Sequence, residues 1–348
     1  MITPKFNNIY VVCPIGTKTG GTELLHQLVY ELNALAKKTI SYIVYTGDTS
    51  NVPPASAFRL YTNGKWLTLD QIKDDYKNLV IFSETGFADF NKFSKIQKWI
   101  WWLSVDNFYN TNYLNRIYKQ VGLKSTIAGI LSGTFRNRSK YINKADLHLY
   151  QSYYAKAFLK TKSVPESKMV YLSDYINDIY TDNVQDALTH SKSDTVLYNP
   201  KKGLDYTKKL ISAAPDIKWV PLINMTNEEV KSLLVSSKVY IDFGTHPGKD
   251  RFPREAAISG CCILTDRKGS AAFHEDVPIP ETYKFDDDAQ SVDKIISKIR
   301  FCLNNYEIVQ NDFNSYRRFI LSEKHHFEKD CKKIFFADCK IKLNTLEK

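Results

Sequence analysis

Residues 246–257 combine basic side chains, a glycine and a carboxylate in a pattern that suits a nucleotide. Three basic residues lie within six positions of one another: Lys249, Arg251 and Arg254. Arginine binds a diphosphate through two parallel hydrogen bonds, and a helix N-terminus favours an anion. The pattern predicts a helix that begins near Phe252 and carries Glu255 in its first turn, where a carboxylate can bind a ribose diol. The alternative is a capping glutamate among ordinary solvated basic residues.

Two further segments place glycine before a predicted helix. Gly20 and Gly21 follow the strand-like residues 8–15 and precede Thr22 at the start of a helical pattern. Residues 198–203, Tyr-Asn-Pro-Lys-Lys-Gly, follow another strand-like run. Glycine lets the backbone approach a phosphate or sugar closely. A plain turn is the alternative for the glycine pair.

The segment from Glu255 onward resembles the donor-binding signature of bacterial GT-B glycosyltransferases that build surface polysaccharides such as capsule and O-antigen. The matching positions are Glu255, Ala256, Gly260, Cys262, Ile263, Leu264, Asp266 and Gly269. One position departs from the family pattern, because Pro247 stands where the family usually has a second glutamate that contacts the donor sugar. His246 or Asp250 is the candidate substitute. The resemblance covers roughly residues 8–32 and 147–290.

The resemblance implies roles for individual residues. It implies that Glu255 binds the donor ribose and that the backbone at Gly269 and Ser270 approaches the nucleotide or sugar. Lys201 and Lys202 occupy the place of a basic diphosphate contact. Gly21 and Thr22 resemble part of the family's glycine-rich loop. The full set of expected donor-binding residues is Glu255, Arg251, Lys249, Arg254, His246, Lys201, Lys202, Gly269, Ser270, Gly21 and Thr22.

An inverting transfer needs a base that takes the proton of the acceptor hydroxyl, whereas a retaining transfer needs no dedicated base. Asp106, Glu84 and His26 are the candidate catalytic residues. Near Asp106, Trp99 and Trp101 would share one strand face and Trp102 the other. These rings are expected either to stack against a sugar or to be buried beneath helices.

The elements that must position these residues read as two successive α/β units. Strand-like runs alternate with helical patterns, which predicts parallel sheets covered by helices on both faces. We expect a GT-B-type α/β fold with two Rossmann-like domains facing across a cleft. Residues 1–187 would form the acceptor domain, which the C-terminal helix at 325–348 can complete, and residues 188–324 the donor domain. The polar stretch 181–194 would be the linker between them.

Composition and net charge indicate the cellular location and the partners of the protein. The chain has 348 residues and 43% hydrophobic residues, its longest apolar runs are short, and its N-terminus lacks a secretory pattern. We therefore expect a cytoplasmic protein with reduced cysteines. The net charge of +10 favours anionic partners, and the lysine-rich stretch 317–348 is either a solvated helix face or a peripheral contact with anionic membrane at the inner face of the plasma membrane. No nucleic-acid signature is present.

These observations lead to one main interpretation. We expect a metal-independent, retaining glycosyltransferase that takes a nucleotide-sugar donor and a glycan or lipid-linked acceptor, with no cofactor and no metal site. The alternatives are a GT-B-like sugar-nucleotide epimerase and a non-catalytic glycan- or nucleotide-binding scaffold. The cluster at Asp286, Asp287 and Asp288 is expected to start a helix rather than bind a metal.

Overall fold

A computed structural model of the chain describes residues 3–47, 56–131 and 139–337. Its strands are, in chain order, β1 (Thr3–Pro4), β2 (Asn8–Pro14), β3 (Ser41–Thr46), β4 (Leu67–Thr68), β5 (Asn78–Ser83), β6 (Gln97–Trp102), β7 (Leu147–Tyr150), β8 (Met169–Tyr171), β9 (Ser193–Tyr198), β10 (Lys218–Pro221), β11 (Ser237–Asp242), β12 (Cys262–Asp266), β13 (Lys284–Phe285) and β14 (Phe336–Ala337).

The α-helices alternate with most of these strands. They are α1 (Gly20–Ala36), α2 (Arg59–Thr62), α3 (Val105–Asn112), α4 (Leu114–Leu131), α5 (Tyr153–Thr161), α6 (Asp178–Thr181), α7 (Val184–Thr189), α8 (Leu204–Ala213), α9 (Asn227–Ser236), α10 (Arg251–Ile258), α11 (Val292–Asn304), α12 (Tyr306–Val309) and α13 (Asn314–Phe335).

The chain divides into two compact units. The described residues up to Gln151, Ala155–Asp174 and those from His325 onward form the first, whereas Ser152–Tyr154 and Tyr175–Lys324 form the second. The second unit thus begins before the expected boundary at residues 187/188. The stretch 181–194 is not an extended linker, because it contains α7 and part of α6, and both helices contact α10.

The first unit is built on a seven-stranded sheet in the order β4-β3-β2-β5-β6-β7-β8. All of its strand pairs are parallel. Its central strands β2 and β5 have almost continuous apolar runs, since both sheet faces are covered and their side chains are buried on either side. In addition, β1 pairs antiparallel with β14.

The second unit contains a five-stranded parallel sheet in the order β10-β9-β11-β12-β13. Its core is one continuous hydrophobic cluster contributed by the strands and by the helices around them. The predicted architecture of two α/β units with parallel sheets is therefore confirmed.

The tryptophans of β6 belong to the interior of the first unit. Trp101 and Trp102 are fully buried and Trp99 is 7% exposed. The Trp101 indole N–H donates to the Leu172 carbonyl (3.2 Å), and the Trp102 indole N–H donates to His148 Nδ1 (2.9 Å). The interpretation of these rings as a sugar-stacking surface is wrong, because helices and neighbouring strands cover both faces of the sheet.

The lysine-rich C-terminal stretch is largely a packed helix. Phe327, Cys331 and Phe335 of α13 are fully buried, so the apolar residues between its lysines face the protein. Residues 338–348 lie outside the described part of the chain. No helix among the described residues is long and apolar enough to cross a membrane.

Two smaller predictions concern the acidic cluster at residues 286–288 and the cysteines. Asp288 accepts a hydrogen bond from the Ser291 amide (2.8 Å) and caps the short turn that leads into α11, which confirms that this acidic cluster starts a helix. Five of the cysteines are buried and free, and Cys339 lies outside the described residues.

Candidate functional site

The sheet of the second unit reverses its strand order between β9 and β11. Chain order proceeds from β9 outward to β10 on one side and from β11 to β13 on the other. In parallel sheets of this kind, a ligand binds at the carboxyl ends of the two strands that flank the reversal. The loops that follow β9 and β11 contain residues 199–203 and 243–250, which carry four of the eleven predicted donor-binding residues: Lys201, Lys202, His246 and Lys249.

Gly203 brings these two loops together. It has φ 58°, and a Cβ atom at this position would lie 1.7 Å from the Phe243 carbonyl oxygen. Both the left-handed conformation and the contact require glycine. Gly203 is also the N-cap of α8, which has no side-chain cap hydrogen bond. The N-terminus of α8 therefore presents backbone amide groups beside the crevice, an arrangement that favours an anion.

His246 lies at the centre of a buried charge network. Its side chain is fully buried, with Nδ1 2.9 Å from Asp250 and Nε2 3.3 Å from Asp266 and 4.0 Å from Asp242. Burial alone would lower the pKa of the imidazole, but the charge of Asp242 and the contacts with Asp250 and Asp266 outweigh it and raise the pKa to about 10. Lys202 adds a second cation, 2.6 Å from Asp250. His246 is therefore an imidazolium inside the protein and not a contact for the donor sugar.

The side chains of Asp242, His246 and Asp250 offer ligand atoms within 4.8 Å of one another, which is a spacing that a metal ion could use. Two cations already occupy this region. The Lys202 ammonium contacts Asp250, and the His246 imidazolium neutralises the carboxylates around it. The charge of Lys202 is the main reason that the pKa of Asp250 is held below its usual value despite burial. His246 and Lys202 thus place two positive charges against the three carboxylates of Asp242, Asp250 and Asp266.

The loop after β12 is fastened to the same network. Gly269 has φ 52°, and a Cβ atom there would lie 2.0 Å from the His246 carbonyl oxygen. The Ser270 amide donates to that carbonyl (2.9 Å), and the Ser270 hydroxyl donates to the Gly248 carbonyl (2.5 Å). These two hydrogen bonds join the loop after β12 to the loop after β11. The side chain of Ser270 is fully buried, so it is not available to a ligand.

Lys249 and Arg254 are predicted to bind the diphosphate, but both side chains are buried inside the protein. Their side chains are buried at 3% and 0% exposure. Lys249 Nζ lies 2.7 Å from one oxygen of Glu323, and Arg254 Nη1 lies 2.9 Å from the other. Arg254 also donates to the carbonyls of Lys249 and Asp250. Their charges are compensated inside the protein, since a buried ion is stable only with such partners.

Glu255 occupies a different position in its helix from the predicted one. Helix α10 starts at Arg251 with Asp250 as its N-cap, so Glu255 lies beyond the first turn. Its carboxylate is 7% exposed and lies 3.6 Å from Arg251 Nε. The Tyr180 hydroxyl bonds to the same carboxylate, and burial followed by the charge of Glu255 raises the pKa of Tyr180. Glu255, Arg251 and Tyr180 form a polar group at the start of α10, in which Glu255 and Tyr180 are buried and Arg251 is partly exposed.

Lys201 is the one exposed cation of the β9 loop among its described residues, and its backbone amide is fixed by Asn199 Oδ1 (3.0 Å). The neighbouring Lys202 is committed to Asp250. The expected pair of phosphate-binding lysines thus separates into one solvent-facing and one structural residue.

The first unit has its own reversal of strand order, between β2 and β5. The predicted glycine-rich loop follows β2, and Glu84 follows β5. Gly21 lies in the first turn of α1, and a Cβ atom at this position would lie 3.7 Å from Leu103 Cδ1. The Thr22 hydroxyl accepts from the Thr19 amide (2.9 Å) and donates to the Thr17 carbonyl (3.0 Å). Thr22 therefore caps the helix, which leaves the backbone near Gly21 as the ligand-facing part of this loop.

Glu84 is the predicted base whose pKa is shifted toward neutral pH. It is 4% exposed and accepts a hydrogen bond from the Leu103 amide (3.1 Å). Burial raises the pKa of Glu84 to about 7, against the opposing effect of backbone hydrogen bonds from Glu84, Leu103 and Ser104. Such a pKa is suited to proton transfer near neutral pH.

The other two predicted bases differ in their surroundings. His26 is fully buried, with Nδ1 donating to the Thr22 carbonyl (2.6 Å) and Nε2 accepting from the Tyr45 hydroxyl (2.7 Å). Burial lowers the pKa of His26 to about 4. His26 is consequently a neutral core residue, and its prediction as a catalytic base is wrong. Asp106 lies partly exposed in the first turn of α3, directly after β6.

Two residues that sequence patterns did not single out complete the site. Tyr180 lies in the stretch interpreted as the end of one domain and the start of a linker, and Glu323 lies in the lysine-rich helix α13. Neither belongs to a motif. A buried cation pair in the donor segment implies a distant carboxylate partner, but only the fold identifies it as Glu323.

No protein-family model matches the chain, and no curated protein matches it. Solved structures do share its fold. One is TarM of S. aureus in complex with fondaparinux, alpha-GlcNAc-glycerol and UDP, at 14% identity and TM-score 0.52. The similarity covers 76% of this chain and 56% of TarM, so the chain spans a little over half the length of that protein.

Two other GT-B structures are covered almost completely. HepE of Anabaena in complex with UDP-glucose has 11% identity and TM-score 0.52, with 94% of this chain and 98% of HepE covered. The lipopolysaccharide outer core galactosyltransferase WaaB has 10% identity and TM-score 0.54, with 92% and 99% covered. The chain therefore has the GT-B fold of these glycosyltransferases.

Proposed function

We propose that the protein is a glycosyltransferase that moves a sugar from a nucleotide-sugar donor to a glycan or lipid-linked acceptor during synthesis of a bacterial surface polysaccharide. The observation that carries this proposal is the group formed by Glu255, Arg251 and Tyr180 beside the β9/β11 reversal. It combines a carboxylate for a diol with a cation for a phosphate at the place where such sheets bind nucleotides.

The donor would be held by three kinds of contact. Glu255 would accept hydrogen bonds from the ribose hydroxyls. Arg251, Lys201 and the uncapped N-terminus of α8 would bind the diphosphate. The backbone at Gly269 would approach the nucleotide or sugar, because its loop is fixed to the His246 carbonyl.

The structural neighbours support a nucleotide-sugar donor and a role in surface polysaccharides. TarM was solved with UDP and HepE with UDP-glucose, and WaaB is a galactosyltransferase of the lipopolysaccharide outer core. These ligands and substrates belong to those proteins. For this chain they make uridine diphosphate and its sugars the first compounds to test.

In the proposed reaction, the bond between the sugar C1 and the diphosphate oxygen breaks, and a bond from C1 to the acceptor oxygen forms. The departing nucleoside diphosphate takes the electron pair of the broken bond. We propose a retaining, metal-independent transfer, in which a leaving phosphate oxygen accepts the proton of the acceptor hydroxyl and Arg251 and Lys201 offset the developing charge. If the configuration inverts, Glu84 is the better base of the two remaining candidates, because its pKa is about 7.

The test is a panel of UDP-, ADP-, GDP- and dTDP-sugars, with binding measured by calorimetry and turnover by nucleotide release and NMR. Transfer or slow donor hydrolysis with one donor supports a transferase, and NMR of the new anomeric centre distinguishes retention from inversion. Interconversion of the donor sugar without nucleotide release would establish an epimerase instead. Binding without any turnover would point to a scaffold, and absence of binding across the panel would refute the donor site.

A further inference from the structure

Helix α4 exposes its apolar side chains instead of burying them. In its first half, Leu114, Tyr118 and Val121 are exposed at 51%, 52% and 44%, while Ile117 is buried. Residues spaced by four and then three positions lie on the same face of a helix. This face is apolar and solvent-facing, the reverse of what a helix in a globular protein normally shows.

The second half of α4 repeats the arrangement after an interruption at Gly122. Leu123, Ile127 and Ile130 are exposed at 61%, 49% and 43%. The residues of this half that face inward are Thr126 and Gly129, both buried. The small and polar side of the helix therefore packs on the protein, and the large aliphatic side is left in water.

The sequence that contains α4 carries charge of a single sign. Between Asp106 and Asp146 the sequence contains no acidic residue. The same stretch contains seven basic residues: Arg116, Lys119, Lys124, Arg136, Arg138, Lys140 and Lys144. Arg116, Lys119 and Lys124 lie on α4 itself and are exposed. Residues 107–145 thus contribute +7 of the net charge of +10.

We propose that α4 is a membrane-binding surface that lies in the plane of an anionic bilayer. Its aliphatic side chains would enter the boundary between headgroups and acyl chains, and its basic residues would contact lipid phosphates. A second copy of this chain is the less suitable occupant, because pairing two α4 helices would bring two sets of unbalanced positive charges together.

This surface replaces the C-terminal stretch as the site of membrane contact. Among the large aliphatic and aromatic residues of α13, Ile320 and Phe327 are buried at 2% and 0% exposure, and Leu321 is the exposed exception at 50%. One exposed apolar side chain offers little area to insert between lipids. In α4 the same residue types are accessible.

The proposal is tested by cosedimentation of the full chain with large unilamellar vesicles, without any donor. Vesicles of phosphatidylglycerol and phosphatidylcholine in equal parts are compared with pure phosphatidylcholine at low salt. The wild type is expected to bind the anionic vesicles and to dissociate as salt rises. The Leu123→Gln/Ile127→Gln variant is expected to bind at least about tenfold more weakly. The matched control is Ile308→Gln/Leu321→Gln, whose side chains in the second unit are exposed at 74% and 50%, and it should bind like the wild type.

Several results would overturn the proposal. One is an absence of wild-type binding to anionic vesicles at low salt. Another is equal binding by the α4 variant and the control, or binding that depends only on residues 338–348 in a truncated chain. Light scattering that shows a dimer of the wild type and a monomer of the α4 variant would assign the surface to self-association. The vesicle measurement involves no sugar nucleotide, so its failure leaves the proposed transferase activity untouched.

Discussion

The carboxylate of Glu255 is shared between protein partners and the proposed ligand. Tyr180 and Arg251 hold it at the surface of α10, and 7% of the residue remains exposed. A carboxylate fixed in this way loses little conformational entropy when it binds a diol, which is a form of preorganisation. This geometry leads to a direct test of the residue.

We expect Glu255→Ala to weaken binding of the correct nucleotide sugar by about 10- to 100-fold, because a hydrogen bond to a charged group contributes about 1.5–3 kcal/mol. Calorimetry measures the affinity, and circular dichroism checks that the fold is kept. The control is Glu307→Ala, which removes an exposed carboxylate of α12. Equal affinities for Glu255→Ala and the control would remove Glu255 from the donor site.

Glu84 makes the stability of the first unit depend on pH. Burial raises its pKa from 4.5 to about 7, so the folded state favours the protonated form. Its stabilising contribution is complete below pH 4.5 and is lost as pH rises through 7. Relative to Glu84→Gln, the wild type should lose about 3 kcal/mol of unfolding free energy between pH 4.5 and 8.

Urea denaturation of both proteins across this pH range measures the difference. The exposed residue Glu307 supplies the control variant Glu307→Gln, which should run parallel to the wild type. If the unfolding free energies of wild type and Glu84→Gln depend on pH in the same way, Glu84 ionises normally and is a weaker candidate for the base.

The sequence of the predicted donor segment does not reveal the role of each of its charges. Arg251 and Arg254 are three positions apart and look equivalent in the sequence, yet one is beside the crevice and the other is fully buried. The difference comes from Glu323, which is 69 positions from Arg254 in the chain. A local pattern carries no information about such a partner.

The loops after β9, β11 and β12 behave as one element because three contacts join them. Gly203 lies against Phe243, Gly269 lies against His246, and Lys202 pairs with Asp250. The Lys249–Arg254–Glu323 cluster then ties this set of loops to α13. The predicted donor segment is consequently a rigid support, and a minority of its charged residues remain accessible to a ligand.

We expect Arg254→Met to lower the unfolding free energy by about 3–5 kcal/mol, because it removes one partner of a buried ion pair and leaves Glu323 less compensated. Urea denaturation followed by circular dichroism measures the change. The control is Arg300→Met, which breaks the exposed pair with Asp216 and should cost about 0–1 kcal/mol. Unchanged stability together with a loss of nucleoside diphosphate binding would restore Arg254 as a phosphate ligand.

Element boundaries were predictable where apolar runs are long. The strand-like run at residues 8–15 forms β2, which ends one residue earlier than the run. The strands β4, β8 and β13 have two or three residues each, which is too short for a period of two to be recognised. Helix α10 starts at Arg251, one residue before the predicted start near Phe252, and this places Glu255 beyond the first turn.

For the whole molecule, alternation of strands and helices was sufficient to predict two α/β units, and the boundary was harder to place. The prediction assigns residues 175–187 to the first domain because the polar stretch 181–194 looks like a linker, yet they belong to the second unit. Their short helices α6 and α7 contact α10, and α6 supplies Tyr180 to the site. Tertiary contacts, which composition does not record, decide this assignment.

The complete reaction is expected to proceed without a divalent metal. Lys202 and the His246 imidazolium already contribute two positive charges to the only described cluster with metal-binding geometry, and Arg251, Lys201 and the dipole of α8 would stabilise the proposed leaving group. Transfer rates measured after EDTA treatment should therefore agree with the rates of untreated enzyme within about twofold. Removal of a Lewis-acid metal would change the rate far more, because such a metal supplies several kcal/mol of transition-state stabilisation. A loss of activity that Mg²⁺ or Mn²⁺ restores would instead assign Asp242, His246 and Asp250 as the ligands. Lys202→Met would then be expected to tighten metal binding, because it removes the cation that competes for Asp250.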